Sequence, residues 1–184
     1  MAATEDGART QYLSFSLRGT EYAVGILKVK EILQHEQTTR VPSTPKSVRG
    51  VINLRGQVVP VVDLAAKFGL GETATTRLTC ILIVEAQVEG TPTVVGVLAD
   101  SVQEVIELGK DDIEPTPAFG TQVKIDFLLG VGKMGKRFVL LLDLDRVISA
   151  DEKEFAREVA TGGVPEEAPA PAQEATSAGP AARA

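Results

Sequence analysis

Tryptophan is absent from this 184-residue chain, histidine and cysteine occur once each, and aromatic residues make up only 4%. With His35 alone, neither a histidine-based catalytic triad nor a multi-histidine metal site can be assembled. With Cys80 alone, no disulfide can form within the chain, which suits a reducing compartment. Cys80 lies in the apolar run LTCILIVEA without a basic or histidine neighbour to activate it, so it reads as a buried structural thiol. No apolar run approaches the roughly 20 residues that span a bilayer. The N-terminal MAATEDGARTQ lacks the basic-then-apolar layout of a signal peptide. These absences predict a soluble, cytoplasmic protein with no direct membrane insertion.

An excess of positive charge is missing too. The net charge is −6, and the stretch from Asp151 to Ala184 holds seven acidic and three basic residues, a net of −4. With residues 1–9 at −1, the region 10–150 is left near −1. A nucleic-acid binder needs a basic face, and that class is set aside. The tail TGGVPEEAPAPAQEATSAGPAARA has almost no large apolar residue to offset its ordering entropy, so 161–184 is expected to be disordered. Residues 1–9 are expected to be equally loose, and a short helix is expected at 151–160.

Between these ends the chain reads as mainly β. QYLSFSLRGTEYAVGI is an alternating strand, a turn at Arg18-Gly19 and a second strand. A second hairpin turns near Glu89-Gly90, and GVINLRGQVVPVV and LLGVGKMGKRFVLLL are two more. Helical stretches are brief: Leu27–Gln34, Leu64–Phe68 and Leu144–Ser149. Pro60 cannot donate to a ladder, so its strand is expected at a sheet edge or with a bulge there.

The two halves resemble each other. Gly50-Val51 precedes Asp63-Leu64 by the separation at which Gly130-Val131 precedes Asp143-Leu144. Asp63 and Asp143 each stand where an N-cap would accept hydrogen bonds from a short helix. Upstream, AVGILKVKEI and VVGVLADSVQEV share a Val-Gly-apolar step followed by Val-x-Glu-(Ile/Val). An internal duplication over about 10–70 and 78–149 predicts two similar small barrels within one domain at 10–150.

The loudest chemical motif fails on context. GVGKMGKR, over Gly130–Arg137, matches both G-x-G-x-x-G and G-x-x-x-x-G-K, the latter over Gly130–Lys136. A phosphate cradle needs a helix after the loop, so that helix-terminal N–H groups face the phosphates. Here RFVLLLDL follows, a strand by local signal, and Arg137 occupies the position of the metal-binding hydroxyl. Gly56, in the matching segment, supplies a positive φ at a hairpin turn. Arg55 is either a solvated turn residue or an interface group; Asn53 and Arg55 share one strand face and could together hold a carboxylate. Phe119, in the loop EPTPAFGT, either plugs the local core or projects toward a partner. The carboxylates form no telling acid–base pair.

EYAVGILKVKEIL, VPSTPKSVRGVINLRGQVVPVVDL, VVGVLADSVQEVIEL and FLLGVGKMGKRFVLLLDLDRVI together resemble the CheW family of bacterial chemotaxis coupling proteins. The likeness covers about 11–150, and with no receiver domain following, the chain reads as a stand-alone coupling protein. The resemblance implies two five-stranded SH3-like barrels around a shared core, with no catalysis and no cofactor. It implies an adaptor between the cytoplasmic tip of methyl-accepting chemoreceptors and the regulatory domain of a CheA-type histidine kinase, recruited to receptor arrays at the inner face of the membrane. Val29, Glu31, Ile32, Arg55, Val102 and Val105 match the receptor-facing region, with Val29 and Ile32 projecting together on a helical turn. Gly50, Gly56 and Gly96 match glycines of close packing, and Phe119 a kinase-contact position. The other readings are an adaptor of a different chemosensory pathway, twitching or developmental, and a nucleotide- or small-molecule-binding regulator using Gly130–Lys136.

Overall fold

The structure, a computed structural model, describes residues 8–35, 37–88, 90–116, 123–148 and 150–160. The expectations for 161–184, for most of 1–9 and for Phe119 lie outside the described residues. The strands are β1 (Thr10–Leu17), β2 (Thr20–Gly25), β3 (Val29–Gln34), β4 (Val48–Leu54), β5 (Gln57–Asp63), β6 (Cys80–Val88), β7 (Thr91–Ala99), β8 (Ser101–Leu108), β9 (Ile113–Glu114), β10 (Leu128–Met134) and β11 (Arg137–Leu142). The helices are α1 (Leu64–Lys67), α2 (Leu144–Val147) and α3 (Ala150–Ala160).

The strands form two mixed sheets, ordered β8-β1-β2-β11-β10-β9 and β3-β6-β7-β5-β4. The fold is mainly β, as expected. Among the described residues no ladder joins β8 to β9 or β3 to β4. One face of each sheet gathers its own apolar cluster: Tyr12, Ile106 and Leu141 in the first, Ile52, Val61 and Ile83 in the second. The opposite faces meet in a larger shared core that includes Leu13, Phe15, Leu82 and Val84. This explains the unbroken apolar run of β6. Ile81 and Ile83 enter their sheet's own cluster while Leu82 and Val84 enter the shared core, so both faces are buried.

The repeat appears in the sheets in exchanged form. The β1–β2 hairpin is flanked by β8 and by β11–β10, all from the second half; the β6–β7 hairpin is flanked by β3 and by β5–β4, all from the first. The pairings match one for one: β1–β8 and β6–β3 are antiparallel, β2–β11 and β7–β5 parallel. Both second hairpins shift register at the same glycine, Gly50 opposite Val61 and Gly130 opposite Leu141. The repeat over about 10–70 and 78–149 therefore does not give one sheet per half: each sheet takes strands from both halves.

Local expectations fare unevenly. Asp63 caps α1 by accepting from the Ala66 N–H at 3.2 Å, and Asp143 caps α2 by accepting from the Asp145 N–H at 3.1 Å. The helix expected at Leu27–Gln34 is instead a 3-10 turn, Ile26–Lys28, followed by β3. Pairing with β6 decides this, because the ladder gives Val29–Gln34 a partner that an isolated turn of helix lacks. Pro60 is neither on an edge strand nor itself bulged. Val51 exchanges both of its backbone hydrogen bonds with Thr39, at 2.8 and 2.9 Å, so its pairing with Pro60 is a non-hydrogen-bonded one. The missing N–H of Pro60 thus faces β7, one residue before the β5–β7 ladder starts at Val61. The Gly130–Lys136 segment is a hairpin with Gly135 at φ 62°, and β11 follows where a phosphate site would need a helix.

Candidate partner-binding site

The expected receptor-facing residues fall on two equivalent edge strands. Among the described residues β3 pairs only with β6 and β8 only with β1. Each ladder shifts register within its Val-x-Glu-(Ile/Val) segment. Val29 stands opposite Val84 and Ile32 opposite Leu82; Val102 stands opposite Phe15 and Val105 opposite Leu13. All four partners belong to the shared core. Residues three apart would normally lie on opposite faces of a strand, but the extra residue of a bulge restores them to one face. Val29 and Ile32 therefore do project together, through a bulge and not a helical turn.

The members of each pair differ in burial. Val29 and Val102 pack against the shared core, while Ile32 is 46% and Val105 50% exposed. The aliphatic surface left for a partner is that of Ile32 and Val105, with Val29 and Val102 behind it. The two edges are linked at Cys80, which pairs with Gln34 of β3 and whose sulfur faces the Val102 N–H of β8. Burial pushes the Cys80 thiol up; the Val102 N–H opposes this and Asp100 adds to it, so the thiol stays neutral at neutral pH.

Each edge carries a Glu–Arg pair. Arg55 Nη2 donates to Glu31 Oε1 at 3.0 Å, with the Arg55 side chain 76% exposed. Arg55 (φ 52°) and Gly56 (φ 83°) are the two central residues of the β4–β5 hairpin, the pattern of a type I′ turn. Asn53 does not join Arg55 at a carboxylate, because its Oδ1 accepts from the Gly56 N–H at 2.8 Å and holds the turn. On the other sheet, Arg137 Nη2 donates to Glu104 Oε1 at 2.8 Å. The reading of the sequence left out Glu104 and Arg137. The repeat contained the signal: Glu104 occupies the Glu31 position of the second Val-x-Glu, although Arg137 lies two places beyond the position matching Arg55.

The three glycines divide into two kinds. A Cβ on Gly50 would run into the Thr39 carbonyl, and one on Gly96 would stand 2.9 Å from Ile81 Cγ2 and 3.3 Å from Val61 Cγ2. Gly56 is not a close-packing glycine: nothing lies within 4 Å of a Cβ there, and its requirement is the positive φ of the turn.

Charged contacts hold the edges in place. Asp145 of α2 binds Lys28, just before β3, at 3.1 Å and accepts from the Gln87 N–H of β6 at 2.8 Å. Partial burial pushes the Asp145 carboxyl up, but the Gln87 N–H, Lys28 and Lys153 outweigh it and the net shift is downward.

A model of the CheW-like domain matches residues 11–152. The chain belongs to the CheW family. It is 36% identical over 146 residues to chemotaxis protein CheW of Rhizobium meliloti, covering 79% of this chain and 92% of that protein. The CheW protein of Klebsiella aerogenes is 34% identical over 150 residues, covering 82% and 88%. The crystal structure of the scaffolding protein TtCheW from Thermoanaerobacter tengcongensis superposes with a TM-score of 0.70 at 31% identity, covering 80% of this chain and 97% of that one. CheW proteins are chemotaxis scaffolds without catalytic activity, and this chain shares their β-rich fold. Among the described residues no helix is long and apolar enough to cross a membrane.

Proposed function

We propose that this CheW-family chain couples the cytoplasmic tip of methyl-accepting chemoreceptors to the regulatory domain of a CheA-type histidine kinase, working in the cytoplasm within receptor arrays. The observation that carries this reading is the pair of equivalent edges, each with an exposed aliphatic side chain beside a Glu–Arg pair. An amphipathic receptor helix can lay its apolar face on Ile32 and Val105, and the charged pairs then fix its orientation.

The test is a pair of binding titrations on Ile32→Ser, one with a receptor cytoplasmic fragment and one with the kinase regulatory domain. Fully burying an isoleucine is worth about 1.5–3 kcal/mol. Ile32 is 46% exposed in the free protein. A contact that buries the remainder is worth about 0.7–1.4 kcal/mol, a loss of roughly three- to tenfold in receptor affinity. Kinase affinity is expected to be unchanged. Equal losses for both ligands with a lowered melting temperature would remove the receptor assignment.

A further inference from the structure

The two sheets are built alike but covered unequally. After β5 and α1 the chain continues as coil over 69–79, whereas after β11 and α2 it forms α3. That helix packs on β5 and β7, on the core-facing side that carries Val58, with Val159 lining the same groove. Buried Glu152, which pairs with Lys67 at 2.7 Å and accepts from the Ser47 hydroxyl, fixes it there. Among the described residues no second helix follows α1 to do the same for β11 and β2. The ladders give the equivalence residue by residue. Val58 stands opposite Asn53 and Pro60 opposite Val51; Phe138 stands opposite Lys133 and Leu140 opposite Val131. Phe138 and Leu140 therefore occupy the places of Val58 and Pro60. Beneath α3, Val58 is half-buried and Pro60 and Thr93 are buried. On the uncovered sheet Phe138 is 60% exposed, Leu140 is half-buried and Thr20 is exposed. The largest side chain of this face thus sits where its cover is missing.

We propose that this face of β11 and β2 docks an acidic amphipathic helix of a partner protein, seated as α3 is seated on β5 and β7. The chain itself shows the shape that fits. α3 buries Phe155 and Val159, four residues apart and so on one side of the helix. The charge follows from what surrounds Phe138. Lys133 stands opposite it, and Lys136 lies in the adjoining turn, both exposed. Lys133 also pairs with Glu114, which leaves Lys136 as the principal attraction for a carboxylate. A helix that sets two apolar side chains on Phe138 and Leu140, with an acidic flank toward Lys136, meets both requirements. β2 and β1 separate this face from the β8 edge, so the inference does not depend on the coupling role.

The α3 sequence itself supplies a defined probe. ADEKEFAREVA carries four acidic and two basic residues, a net of −2. So short a peptide is not helical alone, so it is stapled across its polar face. Titrated into the full-length protein, it should shift the resonances of Val131, Phe138 and Leu140 saturably. Phe138→Ser should weaken binding about five- to twentyfold, since 60% of that side chain is available for burial, and leave the melting temperature unchanged. Lys136→Glu, which leaves the apolar face intact, should also weaken binding and flatten its dependence on salt. The same peptide with Phe155→Ser and Val159→Ser should not bind. Absence of saturable shifts, or undiminished affinity in Phe138→Ser, would overturn the proposal. Shifts confined to Val58 and Val59 would do so as well, because the peptide would then be competing for the seat of α3. Phe138 resonances that move with protein concentration in the absence of peptide would give the face to a second copy and overturn it too.

Discussion

Replacing Arg55 by Asn separates what the residue does for the fold from what it does for a partner. Arg55 is held at φ 52° ahead of Gly56 at 83°. A left-handed conformation costs a residue with an ordinary side chain about 1–2 kcal/mol, and Asn tolerates it better than Arg. Asn-Gly is also the favoured pair for this turn. The substitution removes one ion pair, at 3.0 Å, with Arg55 76% and Glu31 30% exposed. Such pairs contribute about 0.2–1 kcal/mol, and the freed Glu31 keeps access to water. The two effects oppose each other and are of similar size, so stability should change by no more than about 0.5 kcal/mol. Urea unfolding measures that, and calorimetric titration with a receptor cytoplasmic fragment measures the partner side, where a clear loss is expected. Arg18 is the internal comparison. It has φ 51° ahead of Gly19, but its side chain donates to the Glu72 carbonyl at 2.9 Å, so Arg18→Asn should destabilise without touching the edges. If Arg55→Asn costs 2 kcal/mol or more, or keeps full receptor affinity, the argument that Arg55 is strained for a partner's sake fails.

The remaining expectations concern packing and charge. Gly96→Ala should lower stability by about 1–3 kcal/mol through overpacking, because the new Cβ lies 2.9 Å from Ile81 Cγ2; thermal unfolding reads it. Lys67→Ala should cost about 3–5 kcal/mol by leaving a buried carboxylate without its ammonium, and Lys67→Met with Glu152→Leu should recover most of that in the same denaturation assay. Asp145 has a folded-state pKa below its ordinary value, so its contribution is present above the ordinary carboxylate range and lost as pH falls through the folded value. Asp145→Asn should therefore narrow the stability difference between neutral and strongly acid pH, with no change in slope between pH 5 and 7 in melting experiments.

Much of this protein was legible residue by residue, and the reason is range. Turns at Arg18-Gly19 and Arg55-Gly56, and the caps of Asp63 and Asp143, depend on bonds to backbone groups two to four residues away. The sequence carries those partners within the same few letters. Family membership was legible on similar grounds, since the Asn-Leu-Arg-Gly hairpin and the repeated Val-x-Glu step keep their order along the chain. What the letters could not show was partner choice at a distance. The halves exchange hairpins because each sheet buries its apolar faces only with strands from both, a decision made by packing across separations such as Phe15 to Val102. The same long-range pairing turned Leu27–Gln34 from helix to strand and placed Val29 and Ile32 on one face through a bulge. It also brought Arg137 to Glu104, 33 positions away, a pair that no local pattern marks. Hydrogen bonds across a turn are specified by neighbours, but the edge of a sheet exists only once the sheet has formed, and the candidate site is made of two such edges.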